Sequence, residues 1–167
     1  MEEKHGYYLE DLSEGMTDVY AKTLTEADIV LFAGISGDTN PVHLDADFAA
    51  QTAFKGRIAH GMLSASFIST VLGTRLPGPG CIYLDQTLRF RAPVKAGDTV
   101  TARVTIKNVD RESKKVTVDT VCSVEDKVVI EGEATLSVSR RAEVAERSRK
   151  AAGNGQSKAG ARVQAAE

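Results

Sequence analysis

Hydrophobic and polar residues alternate over much of the second half of the chain. In VTARVTI, residues 100–106, the two valines, the alanine and the isoleucine share one side of an extended strand. The threonines and the arginine between them share the other side. The same alternation predicts four further strands, at residues 17–24, 83–93, 115–124 and 128–138. The strands at residues 100–106, 115–124 and 128–138 follow one another with short connections, so we expect them to pair as antiparallel neighbours.

A helix is predicted over residues 25–36, TEADIVLFAGIS. Thr25 is suited to the N-cap position, and the carboxylates that follow it favour the positive end of the helix dipole. Gly37 is suited to end the helix. Apolar residues recur at helical spacing and predict an apolar stripe, formed by Ala27, Val30, Leu31 and Gly34.

The segment at residues 60–75 is the most apolar continuous stretch of the chain. Large apolar residues cover nearly all of its sides, and the serines among them are small. A helix without a polar face is typically a buried helix. A long buried helix followed by a run of antiparallel strands predicts an α+β fold, in which the sheet curls around the helix.

The passage between the two helices, residues 38–57, is predicted to be irregular, with one short helical turn around residues 46–50. Asn40 precedes Pro41, and a residue before proline is biased away from the helical conformation. Residues 1–142 are expected to form a single domain. Residues 143–167 form a polar, basic tail that we expect to be flexible, with a short solvated helix in its first third.

The overall composition is that of an ordinary globular protein. Hydrophobic residues make up 42% of the chain, charged residues 26%, and the net charge is −2, so nothing indicates nucleic acid or an anionic membrane as a partner. No stretch approaches the ~20 apolar residues of a membrane span, and the acidic start lacks the apolar core of a signal peptide. We therefore expect a soluble, cytoplasmic protein. Cys81 and Cys122 are expected to be buried thiols rather than a disulfide or part of a zinc site.

Candidate chemistry is concentrated in GDTNPVHLD, residues 37–45. Asp38 and His43 flank a proline turn, and such residues also occur in turns for purely structural reasons. Farther along, Gly61 opens the predicted buried helix, whose first N–H groups lack helical partners and lie at the positive end of the dipole. A carboxylate and an imidazole that hold a water beside such N–H groups are what water addition next to a thioester carbonyl requires.

The segment FAGISGDTNPVHLDADFA, residues 32–49, resembles the hydratase-2 signature of the MaoC-like (R)-specific enoyl-CoA hydratases. The aromatic, glycine, aspartate, asparagine, proline and histidine positions of that pattern all occur here. The resemblance continues through residues 59–100 and covers roughly Tyr8 to Arg140. Many residue types occur at fixed spacing, so the signature is specific.

The resemblance implies a hot-dog fold, in which an antiparallel sheet wraps a long central helix, and a homodimer whose acyl-CoA tunnel lies near the subunit interface. It also implies that Asp38 and His43 are the catalytic pair and that the N–H of Gly61 binds the thioester oxygen. By the same resemblance, three further positions brace the catalytic loop, organise the site and line the acyl pocket, namely Asn40, Ser69 and Leu72, respectively. Ser69 and Leu72 are equally what close packing of a buried helix requires, so both interpretations of them stay open.

The expected function is (R)-specific hydration of trans-2-enoyl-CoA to (R)-3-hydroxyacyl-CoA and the reverse dehydration, on short- to medium-chain acyl groups. No metal or redox cofactor is expected, since CoA is part of the substrate. Three alternatives stay open: a dehydratase acting on 3-hydroxyacyl groups of acyl carrier protein, a non-catalytic acyl-CoA-binding subunit, and a hot-dog thioesterase. The pathway, whether polyester synthesis, fatty-acid oxidation or carbon assimilation, stays open as well.

Signatures of other chemistries are absent from the sequence. It contains neither the G-x-S-x-G elbow of serine hydrolases nor a phosphate-binding G-x-x-x-x-G-K-[ST] loop. His43, Asp45 and Asp47 alternate along the chain as metal ligands do. A lone imidazole without a second His or Cys nearby is nevertheless a weak metal site, so we predict none.

Overall fold

A five-stranded antiparallel sheet forms one layer of the protein in the computed structural model, which describes residues 5–150. The strands are β1 (Thr17–Thr23), β2 (Ile82–Phe90), β3 (Thr99–Asp110), β4 (Lys115–Val124) and β5 (Lys127–Ser137). They lie in the order β1-β3-β4-β5-β2, so β1 and β2 form the two edges. All the predicted strands are present. The three that follow one another along the chain are neighbours in the sheet, as their short connections predicted.

The long helix α4 (Gly61–Thr74) packs on β1, β3 and β4. Its side chains at Ile68, Val71 and Leu72 are at most 1% exposed. They meet the alternating apolar positions of residues 100–106, which are equally buried and form the inner face of β3. Removing one such side chain from water contributes about 1.5–3 kcal/mol. The predicted α+β arrangement of a sheet packed against a long helix is confirmed.

One strip of α4 is left uncovered by the sheet. The strip lies on one side of the helix and consists of exposed residues at helical spacing, namely Met62, Ser66, Ser69 and Gly73. The prediction of a helix buried on nearly all sides is wrong for this strip. Its residues are mostly small, and the sheet of a single chain packs against only one side of the helix.

Helix α1 (Glu26–Ser36) begins and ends at the predicted residues. The hydroxyl of Thr25 accepts a hydrogen bond from the Asp28 N–H across 3.2 Å, and the Asp28 carboxylate accepts one from the Thr25 N–H across 2.8 Å. This reciprocal capping satisfies two N–H groups at the start of the helix. Gly37 ends the helix in the left-handed region, at φ 77°, which favours glycine.

The apolar stripe predicted on α1 is largely in solvent. Val30 is 54% exposed and Leu31 64% exposed, whereas Ile29 and Ala33 are buried against the rest of the protein. The predicted apolar stripe is therefore not the side of α1 that faces the core. Apolar residues occur on both sides of this helix, so their spacing alone does not select the side that packs inward.

Two short helices, α2 (Pro41–Leu44) and α3 (Ala46–Gln51), follow α1. The helical turn predicted around residues 46–50 is confirmed by α3. The irregular conformation predicted for residues 41–44 is wrong, because proline suits the first position of a helix. Asn40 lies before it as the N-cap, and its side-chain oxygen accepts a hydrogen bond from the Val42 N–H across 3.2 Å.

Residues 141–150 are helical, in agreement with a short helix at the start of the predicted tail. Residues 1–4 and 151–167 lie outside the described part of the chain, so the domain boundary at residue 142 and the flexible tail stay predictions. None of the helices within residues 5–150 is long and apolar enough to cross a membrane. Both cysteines are free thiols; Cys122 is buried and Cys81 is half-buried.

Candidate active site

His43 lies on α2 and is 8% exposed. Its Nδ1 lies 2.8 Å from the main-chain carbonyl oxygen of Ile58. A carbonyl oxygen only accepts hydrogen bonds, so Nδ1 carries the proton and donates it. In the neutral ring the lone pair then resides on Nε2, which is the atom able to take a proton from another molecule. The fold thus selects the tautomer of His43.

Asp38 lies in the turn that follows Gly37, and its side chain is exposed. Its carboxylate accepts a hydrogen bond from the Asn40 N–H across 3.2 Å, and its own N–H donates to the hydroxyl of Ser36 across 3.2 Å. These local bonds hold the turn in shape. They leave most of the carboxylate's acceptor capacity unused.

A carboxylate oxygen of Asp38 and a ring nitrogen of His43 lie within 4.8 Å of each other. Two atoms at most this far apart can both lie about 2.8 Å from one water. The spacing therefore suits two groups that share one water. Sequence analysis singled out these two residues, and the fold brings them together.

A second imidazole, that of His60, packs directly on the first. The two ring centroids are 3.8 Å apart and the ring planes differ by 29°. His60 is 2% exposed, and its Nε2 lies 2.9 Å from the main-chain carbonyl oxygen of Asp38. Sequence analysis missed this contact and treated His43 as a lone imidazole, which is wrong. The sequence feature that could have indicated this contact is the position of His60 directly before Gly61 at the start of the buried helix. Sequence analysis assigned a chemical role there to the glycine alone.

Asp38, His43 and His60 each offer a ligand atom within 4.8 Å of the other two, a grouping that resembles a metal site. The rings of His43 and His60 are stacked, however, with planes 29° apart, and the lone pair of an imidazole nitrogen lies in the plane of its ring. A tetrahedral zinc ion requires two imidazole lone pairs to point at one position, about 2.0–2.1 Å from each nitrogen. Stacked rings do not direct their lone pairs in this way. The donor set fits a metal poorly, and the expectation that none is bound stays a prediction.

Gly61 is the first residue of α4, and its N–H has no hydrogen-bond acceptor among residues 5–150. It lines the same cavity as Asp38 and His43, a cavity of about 450 Å³. A methyl group built on Gly61 comes within 2.6 Å of Cε1 of Phe90. The backbone at Gly61 is therefore closely approached from β2, and its free N–H is suited to bind an oxygen in the cavity.

The remaining wall of this cavity is mostly apolar. Its large side chains come from the loop before α4, from α4 itself, from β2 and the loop that follows it, and from β5; they include Phe54, Ile58, Met62, Phe90, Val94 and Ile130. The charged exception is Arg91, which forms an ion pair with Glu131. An apolar cavity with a few polar groups at one point is typical of sites that bind small organic ligands.

The other predicted site residues lie at different distances from this cavity. Asn40 caps α2 and so supports the helix that carries His43. Ser69 lies in the wall of a second cavity, which has a volume of about 640 Å³ and lies between α4 and β2. Ser66 and Tyr83 line the same cavity. Leu72 is 1% exposed, belongs to the hydrophobic core and lines neither cavity. The predicted site-organising role of Ser69 and the predicted acyl contact of Leu72 stay predictions.

Tyr83, at the second cavity, donates a hydrogen bond to the side-chain oxygen of Gln86. Burial and the nearby Asp85 carboxylate raise the pKa of Tyr83 to about 12, so its phenol keeps its proton at neutral pH. The second cavity thus presents a neutral hydroxyl beside the serines of α4.

Arg57 is a supporting residue that sequence analysis did not identify. Its Nε–H donates to the main-chain oxygen of His43 across 2.7 Å, and its guanidinium lies 2.7 Å from the Glu26 carboxylate. It thereby ties the end of α2 to the start of α1. Nothing in the local sequence distinguishes Arg57 from other surface arginines, because its partners are far away along the chain.

Comparison with known proteins identifies the family of this chain. The family model described as "MaoC like domain" matches residues 11–128. An "(R)-specific enoyl-CoA hydratase" from Rhodospirillum rubrum is 61% identical over 135 residues, which cover 81% of this chain and 94% of that protein. A "3-hydroxybutyryl-CoA dehydratase" from Methylorubrum extorquens is 48% identical over 136 residues, which cover 81% of this chain and 87% of that protein.

Solved structures give the same result for the fold. The unliganded R-hydratase PhaJ1 from Pseudomonas aeruginosa superposes with a TM-score of 0.77 at 43% identity, over 82% of this chain and 88% of that chain. The predicted hot-dog fold is confirmed. By its sequence and its fold, this chain belongs to the MaoC-like domain family.

Proposed function

We propose that this protein is a hydro-lyase that adds water to trans-2-enoyl-CoA to give (R)-3-hydroxyacyl-CoA, and that it catalyses the reverse dehydration. The observation that carries the proposal is the arrangement of Asp38, His43 and the Gly61 N–H around one apolar cavity. The names of the R. rubrum and M. extorquens relatives describe this reaction and its reverse, and they support the same conclusion.

Water activation is the first step of the proposed mechanism. One water bridges the Asp38 carboxylate and Nε2 of His43, and the pair removes a proton from it as its oxygen bonds to C3 of the substrate. The electron pair of the C2–C3 double bond moves toward the thioester, which becomes an enolate. Asp38 and His43 then return a proton to C2. One water is thus added in total, and no redox cofactor takes part.

Stabilisation of the enolate falls to the start of α4. The Gly61 N–H is free of protein acceptors, and it lies at the positive end of the helix dipole. A hydrogen bond from this group to the thioester oxygen strengthens as that oxygen gains charge. Loss of one such donor typically slows an enzyme by ~10²–10³.

The protein acts as a homodimer in this proposal. The support is a set of exposed apolar side chains on α1, β2 and the start of α4, which we call the α1–β2 surface: Leu31, Ile35, Met62, Ile82, Leu84 and Phe90. Each of these residues is at least 50% exposed, and Ile35 reaches 85%. The free side of β2, an edge strand, adds unpaired backbone groups that a second copy can pair with. Monomeric proteins seldom leave so much apolar surface in water.

The decisive experiment follows the loss of enoyl-thioester absorbance with crotonyl-CoA for the wild type and for Asp38→Asn. The wild type is expected to form (R)-3-hydroxybutyryl-CoA, identified by chiral chromatography, and the Asn variant to lose ~10²–10⁴ in rate. Asparagine keeps an oxygen for the Asn40 N–H, so both proteins are expected to unfold at similar temperatures. Equal rates for the two proteins contradict the role of Asp38.

Two further arms of the same experiment separate the alternatives. The crotonyl group on acyl carrier protein is expected to react more slowly than on CoA, and a faster reaction identifies a carrier-protein dehydratase. A thiol reagent is expected to detect no free CoA, and release of CoA identifies a thioesterase. Binding of crotonyl-CoA without any turnover identifies a non-catalytic subunit.

A further inference from the structure

His60 contacts both members of the proposed catalytic pair through one side chain. Its Nε2–H donates to the main-chain oxygen of Asp38 across 2.9 Å, and one face of its ring stacks on His43. Phe32, from α1, packs at a tilt of 52° with its ring centroid 5.0 Å away. His60 therefore connects α1, the turn at Asp38 and α2 at a single point.

Packing alone does not account for a histidine at this position. Nδ1 of His60 is buried and has no hydrogen-bond partner among residues 5–150. A buried acceptor without a partner destabilises the folded state, and a phenylalanine ring avoids that loss while filling similar space. Phenylalanine lacks a donor for the Asp38 carbonyl, so the Nε2–H bond is the contribution that only the imidazole makes here.

The bond to Asp38 spans 22 positions of the chain, whereas the other bonds of that turn reach only two residues. It is the contact that ties the turn carrying the carboxylate to the start of α4. His60 is also the residue directly before Gly61, which lines the cavity and whose N–H has no acceptor among residues 5–150. The carboxylate, the imidazole of His43 and the Gly61 N–H are thus all held relative to one ring.

We propose that His60 is a positioning residue, which fixes the Asp38 carboxylate and Nε2 of His43 at the spacing that one shared water requires. This inference rests on the proposed hydratase function. His60 takes no proton and touches no reacting atom in this proposal; it acts through the placement of the other two. A displacement of about 1 Å between reacting groups can slow an enzyme by ~10²-fold, so a positioning residue has a large effect on turnover.

Two substitutions separate the two contacts of His60. His60→Gln places an amide donor near the position of Nε2 and removes the ring. His60→Phe keeps a ring to stack on His43 and removes the donor. Each variant is expected to lower kcat for crotonyl-CoA by ~10–100-fold with a much smaller change in KM, and His60→Ala, which loses both contacts, is expected to lie below either. His5→Gln is the matched control, because His5 lies outside the cavity, and it is expected to retain wild-type kcat.

Thermal unfolding distinguishes positioning from packing. His60→Phe is expected to unfold at or near the wild-type temperature while its kcat falls, because it fills the same space without a buried unpaired nitrogen. Wild-type kcat in His60→Phe, or a loss of activity in every variant that matches its loss of folded protein, overturns the proposal.

The ring ¹⁵N shifts of His43 give a readout that does not depend on turnover. They are expected to change in His60→Gln and His60→Phe, since both variants alter the surroundings of the His43 ring, and to stay constant in His5→Gln. A wild type that does not hydrate enoyl-CoA contradicts the proposed function alone. In that case, unchanged His43 shifts in both His60 variants overturn the positioning role, and changed shifts support it.

Discussion

His43 donates a hydrogen bond from Nδ1 to the main-chain oxygen of Ile58 across 2.8 Å, which leaves Nε2 as the basic nitrogen of the ring. The acceptor is a backbone atom of the loop before α4, so no side chain is needed to select the tautomer. A carboxylate in this role responds to pH, whereas a peptide carbonyl does not. The orientation of His43 is therefore expected to be independent of pH as long as that loop is folded.

We predict that His43→Asn folds normally and loses ~10²–10⁴ in kcat, because the asparagine amide can still donate to the Ile58 carbonyl but cannot take a proton from water. Steady-state hydration of crotonyl-CoA checks the rate, and thermal unfolding checks the fold. His43→Gln is the matched control for stability: its amide lies nearer the position of Nε2, so the buried carbonyl loses its donor, at about 1–3 kcal/mol. An active Asn variant contradicts the assignment of the base.

Gly61→Ala is predicted to slow hydration because the new methyl group comes within 2.6 Å of the Phe90 ring. The ring or the start of α4 has to shift, and a shift of α4 displaces the proposed oxyanion donor, the Gly61 N–H. In the double variant Gly61→Ala/Phe90→Ala, the ring that causes the clash is absent. Gly61→Ala is therefore expected to lower kcat less in the Phe90→Ala protein than in the wild type. Equal losses with and without the ring indicate that the clash is not the cause.

Gly73→Ala is the matched control for that experiment, since Gly73 lies in the same helix and a methyl group built there meets no atom within 4 Å. It is expected to raise the free energy of unfolding by about 0.8–1 kcal/mol, the usual difference between glycine and alanine in a helix. Its kcat is expected to equal that of the wild type.

Asn40→Ala is predicted to destabilise the protein by about 1 kcal/mol, because α2 loses the side chain that accepts from the Val42 N–H. The turnover rate is expected to fall as well, since α2 carries His43. Asn40→Asp keeps a capping oxygen and is expected to retain most of the stability. Urea unfolding measures the first effect and crotonyl-CoA hydration the second; equal stability of the Ala and Asp variants excludes a capping role.

The acid stability of α1 is predicted to depend on Asp28. A hydrogen bond from Lys22, together with those from Thr25, lowers the pKa of Asp28 from 3.8 to about 2 in the folded protein. The ionised Asp28 carboxylate therefore stabilises the folded state fully above about pH 4. This stabilisation is lost as the pH falls toward about 2 and the carboxylate is protonated. In urea unfolding, the deficit of Asp28→Asn relative to the wild type is expected to be largest at neutral pH and to shrink below pH 4. A deficit that is constant with pH contradicts the ionised cap.

Substitutions on the α1–β2 surface are predicted to separate the proposed dimer. Ile35→Asp and Leu84→Asp each place a charge where an exposed apolar side chain lies in the single chain. Sedimentation equilibrium is expected to give a dimer for the wild type and a lower association constant for each variant. Val128→Asp, at another exposed apolar side chain outside this surface, is expected to stay dimeric. A monomeric wild type contradicts the proposed assembly.

The sheet was predictable because its inner face is uniform. Residues 100–106 alternate with a period of two, and the side that α4 covers is the apolar side. The caps of α1 were predictable for a similar reason, since Thr25, Asp28 and Gly37 act on backbone groups within a few residues. Local rules were sufficient wherever the partner of a residue was local.

The orientation of α1 and the exposed strip of α4 were not predictable in this way. Leu31 and Ile35 are as apolar as core residues, yet they lie in water in the single chain. Hydrophobic periodicity indicates that one side of a helix is apolar, but it does not indicate which surface packs against that side. The pattern is the same whether that surface is the chain's own sheet or a second molecule.

The proximity of Asp38 and His43 was predictable from their spacing in the signature, but the surroundings of the two residues were not. His60 lies 22 positions after Asp38, and the stack on His43 exists only because α4 begins beside α2. The prediction for Ser69 placed it near the pair, whereas in the single chain it lies in the wall of a separate cavity. Contacts between distant parts of the chain follow from the packing of whole elements, which single residues do not encode.

The free N–H of Gly61 and the two side chains proposed to share a water all come from one uninterrupted stretch, Asp38 to Gly61, and the same stretch supplies part of the apolar cavity wall, for example Phe54 and Ile58. A change of sequence within this stretch therefore alters the shape of the cavity and the placement of its polar groups together. Ile130 lines the cavity from β5, a strand that carries none of those groups, so a substitution there can change the size of the cavity alone.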